Sequence, residues 1–376
     1  MIELDRRNFL LAAGAAALAP PAAAQPAATP GNMIIVNALG GLIDLNTSDD
    51  QVTEESRRTL SDRVIADARA SGLTAVNVTL GYVAGDDEPF EETVRTLGRW
   101  EARLRSRPDD LLKVLTAADI LRARRERKIG VIYGFQNAAM LGNDASRVAI
   151  FDDLGVRVIQ LTYNIANQLG DGAMAPQNRG LTPFGREVVE RLNAHRIMVD
   201  LSHSGERICL DAARASRAPI SINHTGCRAL TDLPRNKSDA ELRLVAERGG
   251  FVGIYFMPFL SPDSLATADD VVAHIDHAVN VCGEDHVGIG TDGGTTGIDD
   301  MAAFRAAMRI ENAERRAAGI AAAGENPDTL PFVEELSGPE LFRRLIARLE
   351  RRGYASGRIE KIMGLNFVNF AREIWG

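Results

Sequence analysis

Only three cysteines, Cys209, Cys227 and Cys282, occur in 376 residues, so no disulfide framework holds the chain together, and their spacing fits no zinc motif. Cys209 falls in helical composition, where a thiol serves as a small buried apolar side chain. Cys227 reads as structural. Basic charge is also in deficit: 51 acidic against 43 basic side chains give a formal charge of −8. That balance disfavours a nucleic-acid partner, because no excess of Lys and Arg is left to neutralise phosphates. Past the first thirty residues no segment is long and apolar enough to span a bilayer, so no stable membrane insertion is expected. No GxGxxG lies between a strand and a helix, which argues against a dinucleotide-binding open sheet. Internal repeats and linkers are lacking too, and 45% hydrophobic with 25% charged residues is ordinary globular composition.

Residues 1–32 read as an address and a lead-in. DRRNFL, with Arg6 and Arg7 adjacent, precedes the apolar run Leu10–Pro20 and the small-residue stretch PPAAAQ. This resembles a twin-arginine export signal, with Asp5 where Ser or Thr is usual, cleaved near Ala24. Residues 25–32 are Pro/Ala/Gly-rich and read as a mobile lead-in. The mature protein is accordingly expected in the periplasm.

The remainder, 33–376, is expected to form one domain. Eight apolar, β-branched runs (33–41, 74–81, 129–137, 156–164, 196–205, 219–226, 249–259 and 286–294) alternate with helical compositions. Eight strand–helix repeats predict a (β/α)8 TIM barrel, whose strands are buried on both faces, closed by additional C-terminal helices. A doubly wound sheet is the alternative. In a barrel the carboxyl ends of the strands form the active-site rim.

Two of those ends carry histidine. RIMVDLSHSG and PISINHTG place His203 and His224 at the same end of neighbouring strands, where a pair of imidazoles can hold a divalent metal. Taken singly, each would read as a strand-end hydrogen-bonding group. Asp292 in GIGTDGG completes a His2Asp set of the kind that binds a catalytic zinc with one open position, or else is a turn aspartate before Gly-Gly. Gln136 and Tyr163 end two other runs. His195, His274 and His277 fall in helical stretches, and His286 opens a strand at the far end.

The segments GLTPFGREVVERLNAHRIMVDLSHSG, PISINHTGCRALTDLPRN, ELRLVAERGGFVGI, DHVGIGTD and RIEKIMGLNFVNF resemble the membrane (renal) dipeptidase family of zinc hydrolases, from about Ile129 to the C-terminus. The resemblance implies a (β/α)8 barrel with two zinc ions bridged by a glutamate and a hydroxide, cleaving dipeptides, and points to a homodimer. His203 and His224 match the two histidines of one zinc. Asp292 matches the aspartate that contacts the other zinc and takes the proton of the attacking water. Arg235, in PRN, matches the arginine that binds substrate and polarises the scissile carbonyl. The chain departs from the family elsewhere: Leu39-Gly40-Gly41 replaces a His-x-Asp pair, Gln136 the bridging glutamate, and Tyr163 a substrate-contacting histidine. Asp44 and Asp171, on adjacent loops, are candidate replacements that read equally well as solvated loop acids.

The expectation is therefore a dipeptidase-like hydrolase of a dipeptide or similar small amide with at most one zinc, held by His203 and His224 with Asp292 or Gln136. Two alternatives stand beside it. One is a metal-free enzyme using Tyr163, His203 and Asp292 as acid–base groups; the other is a non-catalytic protein binding a small carboxylate or peptide through Arg235.

Overall fold

The computed structural model describes residues 33–47, 51–317 and 323–376; the export signal and lead-in lie outside them. Eight parallel strands follow one another around a barrel: β1 (Val36–Gly40), β2 (Ala75–Leu80), β4 (Ile129–Phe135), β5 (Val156–Gln160), β6 (Met198–Asp200), β7 (Ser221–Thr225), β8 (Phe251–Ile254) and β9 (Val287–Ile289). Nearly every strand residue is buried, as strands covered on both faces require. The seam between the last and first strands is closed after β9. Asp292 N donates to Leu39 O (3.0 Å) and Gly41 N to Gly293 O (3.1 Å). The Asn37 amide exchanges two 2.8 Å hydrogen bonds with Thr291.

A short ninth strand, β3 (Leu111–Lys113), pairs with the first half of β4 at Ile129–Val131, below the stretch of β4 that meets β5. The periodicity did not predict it, because Leu-Leu-Lys is three residues of good helix formers. Helices cover the outside and start on local caps. Thr116, Ser238 and Thr267 form capping boxes at α3 (Ala117–Glu126), α7 (Asp239–Glu247) and α8 (Ala268–Cys282).

The bottom of the barrel is plugged by the C-terminus. A π turn at Lys361–Leu365 leads into α12 (Asn366–Trp375). The ring of Phe251, first residue of β8, packs on Phe367 at 5.3 Å and Phe370 at 5.9 Å, and Asn366 Nδ2 donates to Val287 O at the start of β9 (2.8 Å). With the amino ends of the strands sealed, the carboxyl ends form the one open mouth, as in other such barrels.

One irregularity positions the histidines. Between Ile222 and Thr225, β7 advances three residues while β8 advances two, from Val252 to Ile254, so a β-bulge falls on Asn223–His224. The displaced Asn223 carbonyl turns over the following strands, and only glycine fits beneath it. A Cβ at Gly253 would lie 2.1 Å from Asn223 O, and one at Gly290 1.9 Å. Gly290→Ala should therefore lower unfolding stability by about 3 kcal/mol through overpacking, read as a shifted urea midpoint; an unchanged midpoint would contradict this role for the glycine.

Candidate active site

His203, just past β6, and His224, in the β7 bulge, meet with ring centroids 4.9 Å apart. His203 is 4% exposed and His224 is fully buried. Burial, reinforced by the Arg235 guanidinium, holds both well below the ordinary histidine range, so both are neutral imidazoles at physiological pH. Nε2 of His203 and both ring nitrogens of His224 are buried without a hydrogen-bond partner. The other four histidines all have one: His195 on Asp152, His274 on Cys227 and Leu260, His277 on Asp239, and His286 on Gly250. Two neutral nitrogens side by side with lone pairs to spare are metal-donor chemistry.

Asn164 was not legible from the sequence. Its Oδ1 accepts from His203 Nδ1 at 2.6 Å, which keeps the proton on Nδ1 and leaves the Nε2 lone pair free, the orienting role a polar neighbour plays for a metal-binding imidazole. No spacing marked this asparagine.

Tyr163 stacks on His203 at 4.1 Å, and burial, then the Asp292 charge, raises its phenol. Arg235 is 9% exposed. One of its terminal nitrogens donates to Ser202 O, and Nη2 has no partner. Asp292 adopts a left-handed φ of 57°, tolerable for Asp but strained, because its backbone nitrogen is held at the barrel seam. Burial lifts its carboxyl to about 6, against the pull of Arg235 and aided by Asp200.

Tyr163, His203, Arg235 and Asp292 line a common cavity of about 450 Å3. Its roof is α9 (Met301–Ala317), which contributes Phe304, Met308 and Arg315 to the lining and buries a single side chain among its described residues, Asn312. Asn312 Nδ2 donates to Thr329 O at 2.9 Å, and Arg309 pairs with Asp328 at 2.6 Å. The helix is thus fastened to 325–334 rather than packed into the core.

Other candidates fall elsewhere. Gln136 turns its amide to Thr79 Oγ1 (2.7 Å) and is not on the cavity lining, and neither is His224, which lies beneath it. Asp171 is not a solvated loop acid: it is 1% exposed and takes two nitrogens of Arg179 at 2.7 Å, which hold its carboxyl low. Asp44 accepts from the Asn46 backbone and side chain. Leu39 is buried and apolar, and Gly41 has no side chain.

The donor chemistry of His203 and His224 therefore fits a divalent ion. Among the described residues, no three His, Cys, Asp or Glu side chains come together as a metal-sized group.

Three comparisons bear on this arrangement. The family described as Membrane dipeptidase (Peptidase family M19) matches residues 70–310. Dipeptidase tcpJ of Claviceps purpurea is 31% identical over 263 residues, 69% of this chain but 54% of that protein. A protein of Klebsiella pneumoniae, described as uncharacterized and encoded in the pqqA 5' region, is 32% identical over 272 residues, 69% of this chain and 88% of its own. Among solved structures, an amidohydrolase from Pseudomonas aeruginosa is 30% identical with a TM-score of 0.75, covering 92% of this chain and 98% of that one.

The raised Asp292 makes a pH test available. Its folded pKa lies above the ordinary 3.8, so its contribution to stability is full below that value and is lost as pH rises through about 6. In metal-free protein, Asp292→Asn should be more stable than wild type near pH 8, by on the order of 2 kcal/mol, and about equal near pH 4. Urea denaturation at both pH values checks this; a difference independent of pH would contradict it.

Proposed function

The chain belongs to the membrane dipeptidase family, peptidase family M19, and from that premise we propose that it hydrolyses a dipeptide or similar small amide, using at most one zinc ion. The observation that carries the proposal is the buried pair His203 and His224, neutral and with free ring nitrogens, beside a cavity that holds a carboxylate and an unpaired guanidinium nitrogen. His203 and His224 would hold the ion, with Asp292 as the carboxylate of the site. When bound, zinc supplies Lewis acidity towards water and towards the scissile carbonyl.

The side chains do the rest. Asp292, whose carboxyl is lifted by burial to about 6, is largely ionised at neutral pH yet more basic than an ordinary aspartate, which suits taking a proton from water and returning it to the leaving amine. Arg235 Nη2 is aimed at a ligand oxygen, either the developing oxyanion or a substrate carboxylate. Asn164 holds the His203 tautomer.

A second proposal rests on Tyr163. Its ring lies flat on His203, an arrangement that suits metal-independent acid–base work by Tyr163, His203 and Asp292. Hydrolysis that survives exhaustive chelation would favour it. Export through residues 1–24 to the periplasm, and assembly as a homodimer, belong to the same proposal and are supported by the sequence resemblance alone.

Under the metal-dependent reading, His224→Ala should reduce amide hydrolysis to background, and Arg235→Ala should lower kcat/KM by roughly 10²- to 10³-fold. Steady-state assays on a dipeptide panel read both. Full activity in folded His224→Ala overturns the reading.

A further inference from the structure

Behind Asp292 the cavity opens on a second chamber of about 110 Å3. Leu45, Asp292 and Pro331 border both spaces, whereas Tyr163, His203 and Arg235 border the larger one alone. The chamber walls are apolar: Ile43 after β1, Phe256 after β8, then Phe332, Leu336 and Leu341. Asp292 is the one charged residue on its lining, and Thr296, 8% exposed, brings a hydroxyl with no partner. Gly293 also faces it, and a Cβ built there approaches nothing closer than 4.0 Å. Gly293 is held in place by Gly41, whose N donates to Gly293 O.

We propose that this chamber receives a short branched aliphatic acyl group on the carbonyl side of the scissile amide, so that the preferred ligands are N-acyl amino acids rather than free dipeptides. The inference rests on the small-amide reading above. With the ligand carboxylate on Arg235 in the main cavity, the opposite end of the amide faces Asp292 and the chamber. A free dipeptide would bring an α-ammonium to that end, where the walls are mostly apolar and the polar atoms are those of Asp292 and a few hydroxyls, so the ammonium would shed its water with few acceptors to replace it. An aliphatic acyl group makes no such demand and buries its methyl groups against Phe256, Leu336 and Leu341. Size agrees: a dry apolar cavity of about 150 Å3 admits benzene, so a chamber somewhat smaller suits a branched four- or five-carbon acyl chain.

The test is binding, measured by isothermal titration calorimetry on the full-length protein, with N-isovalerylglycine, N-acetylglycine and L-leucylglycine as probes. N-Isovalerylglycine should bind at least about tenfold more tightly than either of the others. Gly293→Val, which fills the chamber from an unstrained position, should abolish the preference for isovaleryl over acetyl and leave the affinity for N-acetylglycine within about twofold. Ser337→Leu, from the opposite wall, carries the same expectation should Gly293→Val fail to fold. Equal affinities for the two acyl ligands, tighter binding of L-leucylglycine, no binding of any probe, or a preference that survives in a folded chamber-filling variant would overturn the proposal. Turnover assays on the same probes separate the two levels. Selective binding without hydrolysis counts against the hydrolase reading and leaves the chamber standing; hydrolysis indifferent to the acyl group does the reverse.

Discussion

One buried carboxylate fixes the geometry on which the site depends. Asp200, at the end of β6, is 1% exposed, and its Oδ1 accepts from Ser202 N (3.0 Å), Ser202 Oγ (2.5 Å) and Asn223 N (3.0 Å). Ser202 Oγ in turn accepts from His224 N at 3.1 Å. A single acid thus ties the turn that presents His203 to the bulge that presents His224. Burial raises its pKa and the hydrogen bonds oppose the rise, as expected of an acid held by several donors in a dry place. From the other side, Arg235 and the buried Lys237 donate to the carbonyls of Ser202 and Ser204, flanking His203. Lys237 is itself paired with buried Glu241 at 3.4 Å. The two imidazoles are therefore set by the protein and do not need an ion to bring them together, which is the preorganisation a functional site requires.

The same framework divides the labour electrostatically. Burial, reinforced by Arg235 and Lys237 on one side, keeps the histidines in their neutral forms, the forms that bind metal. Asp292, held at the seam by its backbone rather than by side-chain partners, is left with burial as the dominant influence and becomes the group that titrates near neutrality. Of the acids on the cavity lining, Glu311 belongs to the roof helix and Glu325 to the segment that fastens it, while Asp292 sits at the barrel seam; Gln136 is turned away to Thr79, and an apolar residue and glycines stand at the end of β1. A charge of +4 from two zinc ions would be poorly compensated here, while +2 faces Asp292 and two neutral nitrogens.

Much of this was legible in the sequence because the barrel advertises itself. Most of the eight predicted runs are β-branched and end in Gly, Asn or Thr, and each of the eight contains a barrel strand. The histidine pair was visible because both residues end their runs in the same phase. The bulge was not: a one-residue excess in β7 leaves no mark in a five-residue strand, although Gly253 and Gly290, which it requires, are in plain view. Asn164 and the Asp200 clamp were hidden because their roles are set by contacts between strands, and Asp200 reads as one more polar residue in VDLSH. Neither reading offered for Asp171, replacement ligand or solvated loop acid, foresaw its pairing, because nothing local announces that Arg179, eight residues on, will cover it. The roof helix α9 was covered only by the expectation of additional C-terminal helices closing the barrel, since its amphipathic face reads the same whether it meets a core or a cavity.

The account turns on how many ions the histidine pair and its neighbours hold. Elemental analysis of protein purified without chelator, then titrated with zinc and dialysed, measures this without knowledge of the substrate. One zinc per chain, falling to none in His224→Ala, is the predicted result. Two zinc ions per chain, with rapid cleavage of ordinary dipeptides, would contradict it and show that donors beyond the histidine pair build a second site.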